Sequence, residues 1–474
     1  MIKTIMFLLD GVGDRGQPTL GGLTPLQAAR LPNLDRIAKA GETGLMVPLR
    51  PGIPLGTDHA HYLLFGYQSE DYPGRAVIDT IGEGLELSPG DIVLRTSWAT
   101  VDPGAARERQ DAAEERQAAA EKRYGTAEER QGAALKRPGM ADEPPREGYN
   151  CFVIQERFTP GIDRQSAESF ASTLPEMFED IRAEWYFSHD SHGFLILRDC
   201  AARFDPQISD TDPFYEGQQV MACKPFETAS EKAAALADWI NRYLIEVHRR
   251  LSTHALNLKR MSDSQLPANF MLTKWAGRLE LPEAFQLRNG MRGAVIASSK
   301  LLKGVAASLQ MDYYECGDYH EAVKLSHQLD YDYIHVHTKA PDTAAHTKRP
   351  EEKVRVLEAL DHAFAALHAS EDYLYIVTGD HSTASSGSLI HSGESVPVVF
   401  LGTMTRRDLG NAFDEVACGL GGLRITAGDV MPMILNLTDR AKLYHLRAGE
   451  KRRLYRAMHV KPLRIEFSKT QTSK

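Results

Sequence analysis

Short continuous apolar runs recur along the chain and predict its strands. The first covers residues 2–9 and ends at Asp10-Gly11-Val12-Gly13-Asp14. Similar runs lie at 373–377 and 396–401, and residues 333–337 are a further predicted strand. Runs of this length without polar alternation are typical of parallel strands that are buried on both faces.

Segments with apolar residues at helical spacing separate these runs. They lie at 24–41, 298–309 and 351–369, and Gly41 is a predicted helix C-cap. An alternation of buried strands and helices is typical of an α/β fold. We therefore predict a central, mostly parallel sheet flanked by helices.

The middle of the chain has a different pattern, which predicts a second, α+β domain. Strand-like runs at 151–154 and 194–197 accompany helical patterns at 166–181 and 231–251. The predicted core is thus discontinuous, residues 1–95 with 290–474, and residues 96–289 form an inserted domain. Within the insert, residues 103–147 are almost wholly Ala, Glu, Arg, Gln and Lys, which predicts a solvated, charged helical insertion. A coiled-coil partner helix is less favoured because its a and d positions would be mostly Ala.

Composition and charge narrow the class of protein. The chain has 474 residues, 42% of them hydrophobic, which is enough for two or three domains with a sizeable core. A net charge of −9 gives no basic footprint for nucleic acid and disfavours an anionic membrane surface. No apolar stretch approaches the roughly 18 residues of a membrane span. Five scattered cysteines and a first apolar run too short for a signal peptide indicate a cytoplasmic protein.

Ligand-type side chains follow several of the predicted strands. Asp380 and His381 come directly after the run at 373–377, and His391 follows ten residues after His381. Asp342 and His346 are four residues apart, so one helical turn would place them on one face. With Asp10 and Thr57 they make seven candidate metal ligands. Adjacent Asp380 and His381 are expected to point apart and so to serve two metals.

Three aspartates, three histidines and one hydroxyl suit two sites for zinc, manganese or a similar divalent cation. Two such cations clamp the attacking and leaving oxygens of a phosphoryl transfer, and they activate a nearby threonine hydroxyl as a nucleophile. Each feature alone has an ordinary structural explanation, since an aspartate at a strand end usually caps a turn. Among the seventeen histidines, we interpret four as unrelated to the site: His335, His337, His362 and His368.

A set of motifs in a fixed order resembles one enzyme family. That family is the archaeal-type, cofactor-independent phosphoglycerate mutases of the alkaline phosphatase superfamily. The resemblance covers most of the chain except about 101–148. It rests on Asp10-Gly11-Val12-Gly13-Asp14, Gly56-Thr57-Asp58-His59-Ala60-His61, Ile208-Ser209-Asp210-Thr211-Asp212-Pro213, Ala268-Asn269-Phe270, Asp342 with His346, and Gly379-Asp380-His381-Ser382-Thr383 with His391.

The resemblance implies an alkaline-phosphatase-like core with an inserted lid domain, and it implies roles for individual residues. One metal would be bound by Asp10, Thr57, Asp380 and His381, and the second by Asp342, His346 and His391. Thr57 would accept the phosphoryl group as a phosphothreonine, with Lys339 as a second catalytic residue. Substrate phosphate and carboxylate would be held by four basic residues, Lys339, Arg75, Arg95 and Arg157, and Asp58 would be a further substrate-binding residue.

One segment of the predicted lid departs from the family. Where the family carries an arginine-rich stretch, residues 155–161 read Gln-Glu-Arg-Phe-Thr-Pro-Gly, and only Arg157 is left. The expected activity is interconversion of 3- and 2-phosphoglycerate or of a related phosphorylated acid. The alternatives are a metal-dependent phosphohydrolase or phosphonate-processing enzyme on the same scaffold and, less favoured, a pseudoenzyme or scaffold.

Overall fold

The computed structural model describes residues 2–103 and 151–441. Nearly all of the predicted charged insertion at 103–147 lies outside the described residues. Contacts between Cα atoms divide the chain into two compact units. Unit 1 comprises the described parts of Met1–Pro73, Ile78–Leu85 and Glu280–Lys474, and unit 2 those of Gly74–Val77 and Glu86–Leu279.

The strands of the described residues are, in chain order, β1 (Lys3–Leu9), β2 (Glu42–Val47), β3 (Ile92–Pro103), β4 (Phe152–Glu156), β5 (Met177–Phe178), β6 (Ile181–Phe187), β7 (His192–Arg198), β8 (Phe270–Arg278), β9 (Gly293–Ala297), β10 (Asp312–Glu315), β11 (Tyr333–Thr338), β12 (Tyr373–Thr378), β13 (Val396–Leu401) and β14 (Leu423–Thr426). The α-helices are α1 (Pro25–Ala28), α2 (Pro32–Ala40), α3 (Thr57–Leu64), α4 (Arg75–Gly82), α5 (Arg164–Ala171), α6 (Glu231–Ser252), α7 (Ala255–Ser262), α8 (Phe285–Asn289), α9 (Lys300–Ser308), α10 (Tyr319–Gln328), α11 (Ala340–His346), α12 (Pro350–Asp361) and α13 (Ala427–Leu437). Short 3-10 helices lie at Pro18–Leu20, Ser69–Asp71, His362–Phe364 and Cys418–Leu420.

Unit 1 is built on a mixed, mostly parallel sheet, and this confirms the predicted α/β class. In the described residues its order is β10-β9-β11-β1-β12-β13-β2-β14. Strand β1 pairs in parallel with β11 on one side and β12 on the other, while β13 is antiparallel to both of its neighbours. Every residue of β1 from Thr4 to Leu9 is fully buried, which explains the continuous apolar run in the sequence.

Unit 2 is an α+β unit around an antiparallel sheet. The order of its described strands is β4-β3-β7-β6-β5, with β8 on β3. The long helix α6 contributes one apolar face to its core, including the fully buried Trp239 and Tyr243. The interpretation of this unit as a lid over a substrate stays a prediction.

The predicted helix at 166–181 is wrong in its second half. Helix α5 ends at Ala171, and Met177 and Ile181 belong to the short hairpin of β5 and β6. Its turn residues, Glu179 and Asp180, have φ angles of 48° and 63°. A left-handed conformation at two consecutive residues is a hairpin turn, which helical spacing of apolar residues does not reveal.

Two other predicted helices are interrupted by turns. The segment 24–41 forms α1 and α2, because the extended Ala29 and then Pro32 separate them, and Gly41 is the C-cap of α2 as predicted. The segment 351–369 ends its α-helix at Asp361 and continues as one 3-10 turn.

In residues 2–103 and 151–441, no helix is long and apolar enough to cross a membrane. All five cysteines are free thiols, and three of them are buried.

Candidate metal centre

Three neighbouring strands of unit 1 end at the same sheet edge and carry most of the predicted ligands. Leu9 at the end of β1 pairs with Thr338 of β11, and Leu8 pairs with Thr378 of β12. Asp10 follows β1, α11 with Asp342 follows β11, and Asp380 follows β12. Parallel pairing therefore gathers groups that lie up to 370 positions apart in the chain. Such an edge is the usual ligand-binding edge of an open α/β sheet.

Asp10, Asp380 and His381 form the first group. Their ligand atoms lie within 4.8 Å of one another. His381 Nε2 lies 3.3 Å from Asp10 Oδ1 and 3.3 Å from Asp380 Oδ2. The expectation that Asp380 and His381 point apart is therefore wrong, because both side chains turn towards the same point.

Thr57 brings its hydroxyl into this first group. Its Oγ1 lies 3.3 Å from His381 Nε2 and 3.5 Å from Asp10 Oδ2. Thr57 is the first residue of α3, after the N-cap Gly56, so it stands at a helix N-terminus. The partial positive charge of that terminus favours a negatively charged oxygen at Thr57.

Asp342 and His391 form the second group, and His381 belongs to both. His391 stacks on His381, with ring centroids 3.9 Å apart. Asp342 Oδ1 lies 3.7 Å from His391 Nε2 and 3.2 Å from Nε2 of His346, one turn along α11. The structure thus brings all seven predicted ligands to one place.

Hydrogen bonds at the far side of two imidazoles determine their tautomers. His391 Nδ1 lies 2.6 Å from the carbonyl oxygen of Leu55, which only accepts, so Nδ1 carries the hydrogen. Thr383 donates to Asp342 Oδ1 at 2.8 Å and accepts from His381 Nδ1 at 3.2 Å. In both rings the Nε2 lone pair is left to face the group, as in histidines that bind metals.

Three carboxylate oxygens point into the site. Asp10 Oδ1, Asp342 Oδ2 and Asp380 Oδ2 are buried and have no hydrogen-bond partner among the described residues. Gly11, with a φ of 61°, leaves the space open, because a Cβ there would lie 2.9 Å from Asp342 Oδ1. Buried acceptors without donors call for a cation, and the oxygen and imidazole donors fit a divalent metal.

The same carboxylates perturb one another's protonation. Burial, followed by the charges of Asp10 and Asp342, raises the pKa of Asp380 well above its ordinary value. Burial also acts to raise the pKa of Asp10, but the hydrogen bond from His337 and the charge of His381 hold it well below its ordinary value. A divalent cation between them would offset the repulsion that Asp380 experiences.

Two histidines interpreted as unrelated to the site lie against it. His337 donates from Nε2 to Asp10 Oδ2 at 3.1 Å, and this bond turns the other oxygen of Asp10 into the site. His335 lies behind it and contacts His61 at 3.0 Å between their Nε2 atoms. The alternation of the two histidines along β11 is visible in the sequence, but only the pairing of β11 with β1 shows that they lie against the site.

Lys353 of α12 joins the loops after β1 and β12. Its ammonium group is fully buried. It lies 2.9 Å from the carbonyl oxygens of Gly13 and Thr383 and 3.1 Å from Asp14 Oδ2. Asp14 also accepts from the backbone of Ser385. This ion pair therefore holds the two ligand-bearing loops together.

Lys339 and Asp58 also lie in unit 1. Lys339 immediately precedes α11, and its half-exposed ammonium group is 3.8 Å from Asp342 Oδ2. Asp58 follows Thr57 in α3, is buried, and accepts a hydrogen bond from the Tyr72 hydroxyl.

The three predicted substrate arginines belong to unit 2. Arg157 donates from Nε and Nη2 to both oxygens of Asp212, at 2.8 and 2.7 Å. Lys274, which the motifs did not indicate, lies 3.3 Å from the same carboxylate and is buried. Arg75 lies over the ring of Trp275 at 5.2 Å, and Arg95 lies over Phe194 at 5.3 Å.

The cations of unit 2 act on one another electrostatically. Burial, followed by the positive charges of Arg95 and neighbouring basic groups, lowers the pKa of His192 to about 3. Burial also lowers the pKa of Lys274, with Asp212 opposing it. These residues carry more positive than negative charge, and they lie in partly buried, low-dielectric surroundings. They are therefore suited to bind an anion.

The fold and the metal centre define a class. A family model described as the metalloenzyme superfamily matches residues 2–437, so the chain belongs to that superfamily. Within it, the chain belongs to the 2,3-bisphosphoglycerate-independent phosphoglycerate mutases. It is 39% identical over 460 residues to 2,3-bisphosphoglycerate-independent phosphoglycerate mutase 2 of Methanocaldococcus jannaschii, covering 96% of this chain and 97% of the relative. The resemblance noted in the motifs is thereby confirmed.

Solved structures agree with the fold. The cofactor-independent phosphoglycerate mutase from Thermoplasma acidophilum is 27% identical, with a TM-score of 0.59, over 92% of this chain and 100% of the other. A protein from Pyrococcus horikoshii gives a TM-score of 0.67 at 24% identity, over 94% of this chain and 99% of the other, and supports the fold alone.

Proposed function

We propose that this chain is a metal-dependent phosphomutase that interconverts 3- and 2-phosphoglycerate through a phosphothreonine on Thr57. One observation carries most of the proposal: the Thr57 hydroxyl lies among Asp10, Asp380 and His381 at a buried site. The mutase names of relatives that match almost the whole chain support the same activity.

Two divalent cations, manganese, zinc or similar, would occupy the two ligand groups. Asp10, Thr57, Asp380 and His381 would hold the first, and Asp342, His346 and His391 the second. Bound there, they would lower the pKa of the Thr57 hydroxyl and neutralise charge on the phosphoryl oxygens.

Transfer takes two steps that leave the composition of the acid unchanged. The Thr57 hydroxyl gives up its proton and its oxygen forms a bond to phosphorus, while the bond from phosphorus to the 3-oxygen breaks and the 3-oxygen takes up a proton. The 2-hydroxyl then loses its proton and forms a bond to the same phosphorus, while the bond to Thr57 Oγ1 breaks and Oγ1 takes up a proton. Lys339, next to Asp342, would balance the charge of the transferring phosphoryl group. Water has to be excluded between the steps.

Positive charge would hold the acid during its reorientation. Arg75, Arg95, Arg157 and Lys274 would supply that charge, and Asp58 would accept a hydrogen bond from a glycerate hydroxyl. The substrate would thus be a small phosphorylated acid. The expected location of the protein is the cytoplasm, a reducing compartment that is consistent with its free cysteines.

One observation favours a second function, a phosphohydrolase or phosphonate-processing activity at the same metals. Arg157 is the only arginine of residues 155–161, and it already binds Asp212 through two of its nitrogens. A weaker hold on the dephosphorylated acid would let water reach the phosphothreonine.

Product analysis separates the two functions. Incubation of the protein with 3-phosphoglycerate and manganese or zinc should yield 2-phosphoglycerate and no free phosphate, because the acid stays bound while Thr57 carries the phosphoryl group. Phosphorus NMR follows both products in one sample, and enzyme treated with a chelator is the control. Free phosphate as the sole product would contradict the mutase assignment and support the hydrolase. A panel of phosphorylated and phosphonylated acids would then identify the substrate of that hydrolase.

Loss of Asp342 should reduce metal content. The Asp342→Ala variant removes a carboxylate at which three histidine-bearing segments converge, so we expect it to retain roughly one cation where the wild type retains two. Elemental analysis of purified protein gives the ratio. Asp361→Ala is the matched control, because that buried carboxylate accepts bonds from the backbone of Asn33 and Leu34 and lies outside both groups. Equal metal content in wild type and Asp342→Ala would contradict the second site.

A further inference from the structure

The first turn of α3, which carries Thr57, is contacted by a side chain of the same helix. His61 lies one turn after Thr57, and its Nδ1 is 2.6 Å from the Thr57 carbonyl oxygen. A carbonyl oxygen only accepts, so the hydrogen resides on Nδ1 and this imidazole is the donor. The N-cap residue, Gly56, gives the turn no side-chain hydrogen bond of the ordinary kind.

A second imidazole completes the arrangement. His335 Nε2 lies 3.0 Å from His61 Nε2, a distance that requires one hydrogen between the two nitrogens. Because His61 already carries its hydrogen on Nδ1, the shared hydrogen belongs to His335. His335 Nδ1 is then an acceptor, and the Tyr333 hydroxyl lies 3.4 Å from it.

The donors therefore have one direction, from His335 to His61 and from His61 to the backbone of Thr57, while the Tyr333 hydroxyl donates to Met6 Sδ at 3.2 Å. Tyr333, His335 and His61 are fully buried. Phe65 packs its ring edge-on against both imidazoles, with centroids 5.0 Å from His335 and 5.9 Å from His61. Without water to substitute for a missing partner, each member depends on the next.

We propose that His61, held in one tautomer by His335, is a positioning residue that fixes the backbone of Thr57 and so aims its hydroxyl at the metal centre. This inference rests on the proposed function, in which Thr57 is the nucleophile. The bond acts at the carbonyl of the same residue whose Oγ1 lies 3.3 Å from His381 Nε2. Rotation of this turn would move the hydroxyl away from the line of attack, while substrate anions bound elsewhere would be little affected.

Two substitutions at His61 separate positioning from packing. His61→Leu keeps bulk but removes the donor, and we expect kcat to fall about 10²-fold with KM changed less than about threefold, since a misplacement of about 1 Å costs roughly that much. His61→Asn places an N–H where Nδ1 stood and should keep kcat within about fivefold of wild type. Rapid quenching that measures the rate of Thr57 phosphorylation assigns the loss to the transfer step.

His327 provides the matched control. Its Nδ1 bonds to the Val323 carbonyl, four residues earlier on α10, at 2.9 Å, and its Nε2 lies 3.0 Å from the Tyr375 hydroxyl. This is the same pattern on a helix that carries none of the seven ligands. His327→Leu should lower the melting temperature and leave kcat and KM unchanged.

The tautomers can also be observed without turnover. Nitrogen-15 NMR of the zinc-loaded protein should report a hydrogen on Nδ1 of His61 and on Nε2 of His335. Hydrogens on Nε2 of His61 and Nδ1 of His335 would overturn the inference, even if His61→Leu does not fold. A folded His61→Leu variant with wild-type kcat would also overturn it. Wild-type kcat in His61→Leu rejects this inference alone when the wild-type protein is active and depends on Thr57. If the wild-type protein is inactive with every acid and metal, the proposed function fails and this inference fails with it.

Discussion

The Thr57→Ala variant should lose turnover by roughly 10⁴-fold or more while it keeps its fold and its metals. The hydroxyl that is removed lies between Asp10 and His381, and no other described hydroxyl bonds to both of these side chains. Its methyl group contributes little to the core. Initial rates with 3-phosphoglycerate measure the effect, and the melting temperature and elemental analysis show that the site is otherwise present.

Thr57→Ser is the matched control for this variant. It keeps the oxygen and removes only the methyl group, so it should remain active and should form a phosphoserine. Mass spectrometry of acid-quenched protein should find phosphate on residue 57 in the wild type and in Thr57→Ser, and none in Thr57→Ala. Wild-type turnover by Thr57→Ala would reject the nucleophile assignment and with it the phosphothreonine.

The Lys353→Met variant should cause the largest loss of stability. It leaves the buried carboxylate of Asp14 without its cation and the Gly13 and Thr383 carbonyls without their donor. Breaking a buried pair in this way costs about 3–5 kcal/mol of unfolding free energy, which corresponds to a melting temperature lower by about 6–20 °C. Scanning calorimetry measures the shift.

Lys348→Met is the control for that loss. Lys348 also bonds to two carbonyl oxygens, those of Ala384 and Leu389, but it is only half-buried and contacts no carboxylate in the described residues. Its replacement should change the melting temperature far less. Replacing Asp14 by Asn together with Lys353→Met should lose less than the sum of the single changes, because the uncompensated charge is gone. Equal losses at Lys353 and Lys348 would contradict the role of the ion pair.

The sequence was informative where a local pattern determines structure. Apolar runs without alternation marked β1, β12 and β13 to within about a residue, since strands buried on both faces tolerate few polar side chains. The spacing of Asp342 and His346 anticipated one face of a helix, and α11 provides it. The motifs in loops indicated a family because their identity and their order along the chain can be read from the sequence without knowledge of the fold.

What the sequence left hidden depends on contacts between distant segments. The role of His337 follows only from the register that places it beside Leu8, and Lys353 was not singled out because its partners lie on two loops that are distant in sequence. Lys274 precedes Trp275, whose φ of 57° bends β8 where its amide donates to Asp210. A left-handed tryptophan in a strand follows from its surroundings, not from its own preference.

The central position of β1 in its sheet has a consequence for biosynthesis. Its seven residues are synthesised long before the strands that flank them, which begin at Tyr333 and Tyr373. At about 5–20 residues per second, the strand waits roughly 15–65 seconds for its first neighbour. The contacts of unit 2, by contrast, are complete once Leu279 has been made. We therefore expect the nascent protein to carry a complete unit 2 and an unpaired apolar strand, the kind of exposed surface that chaperones bind.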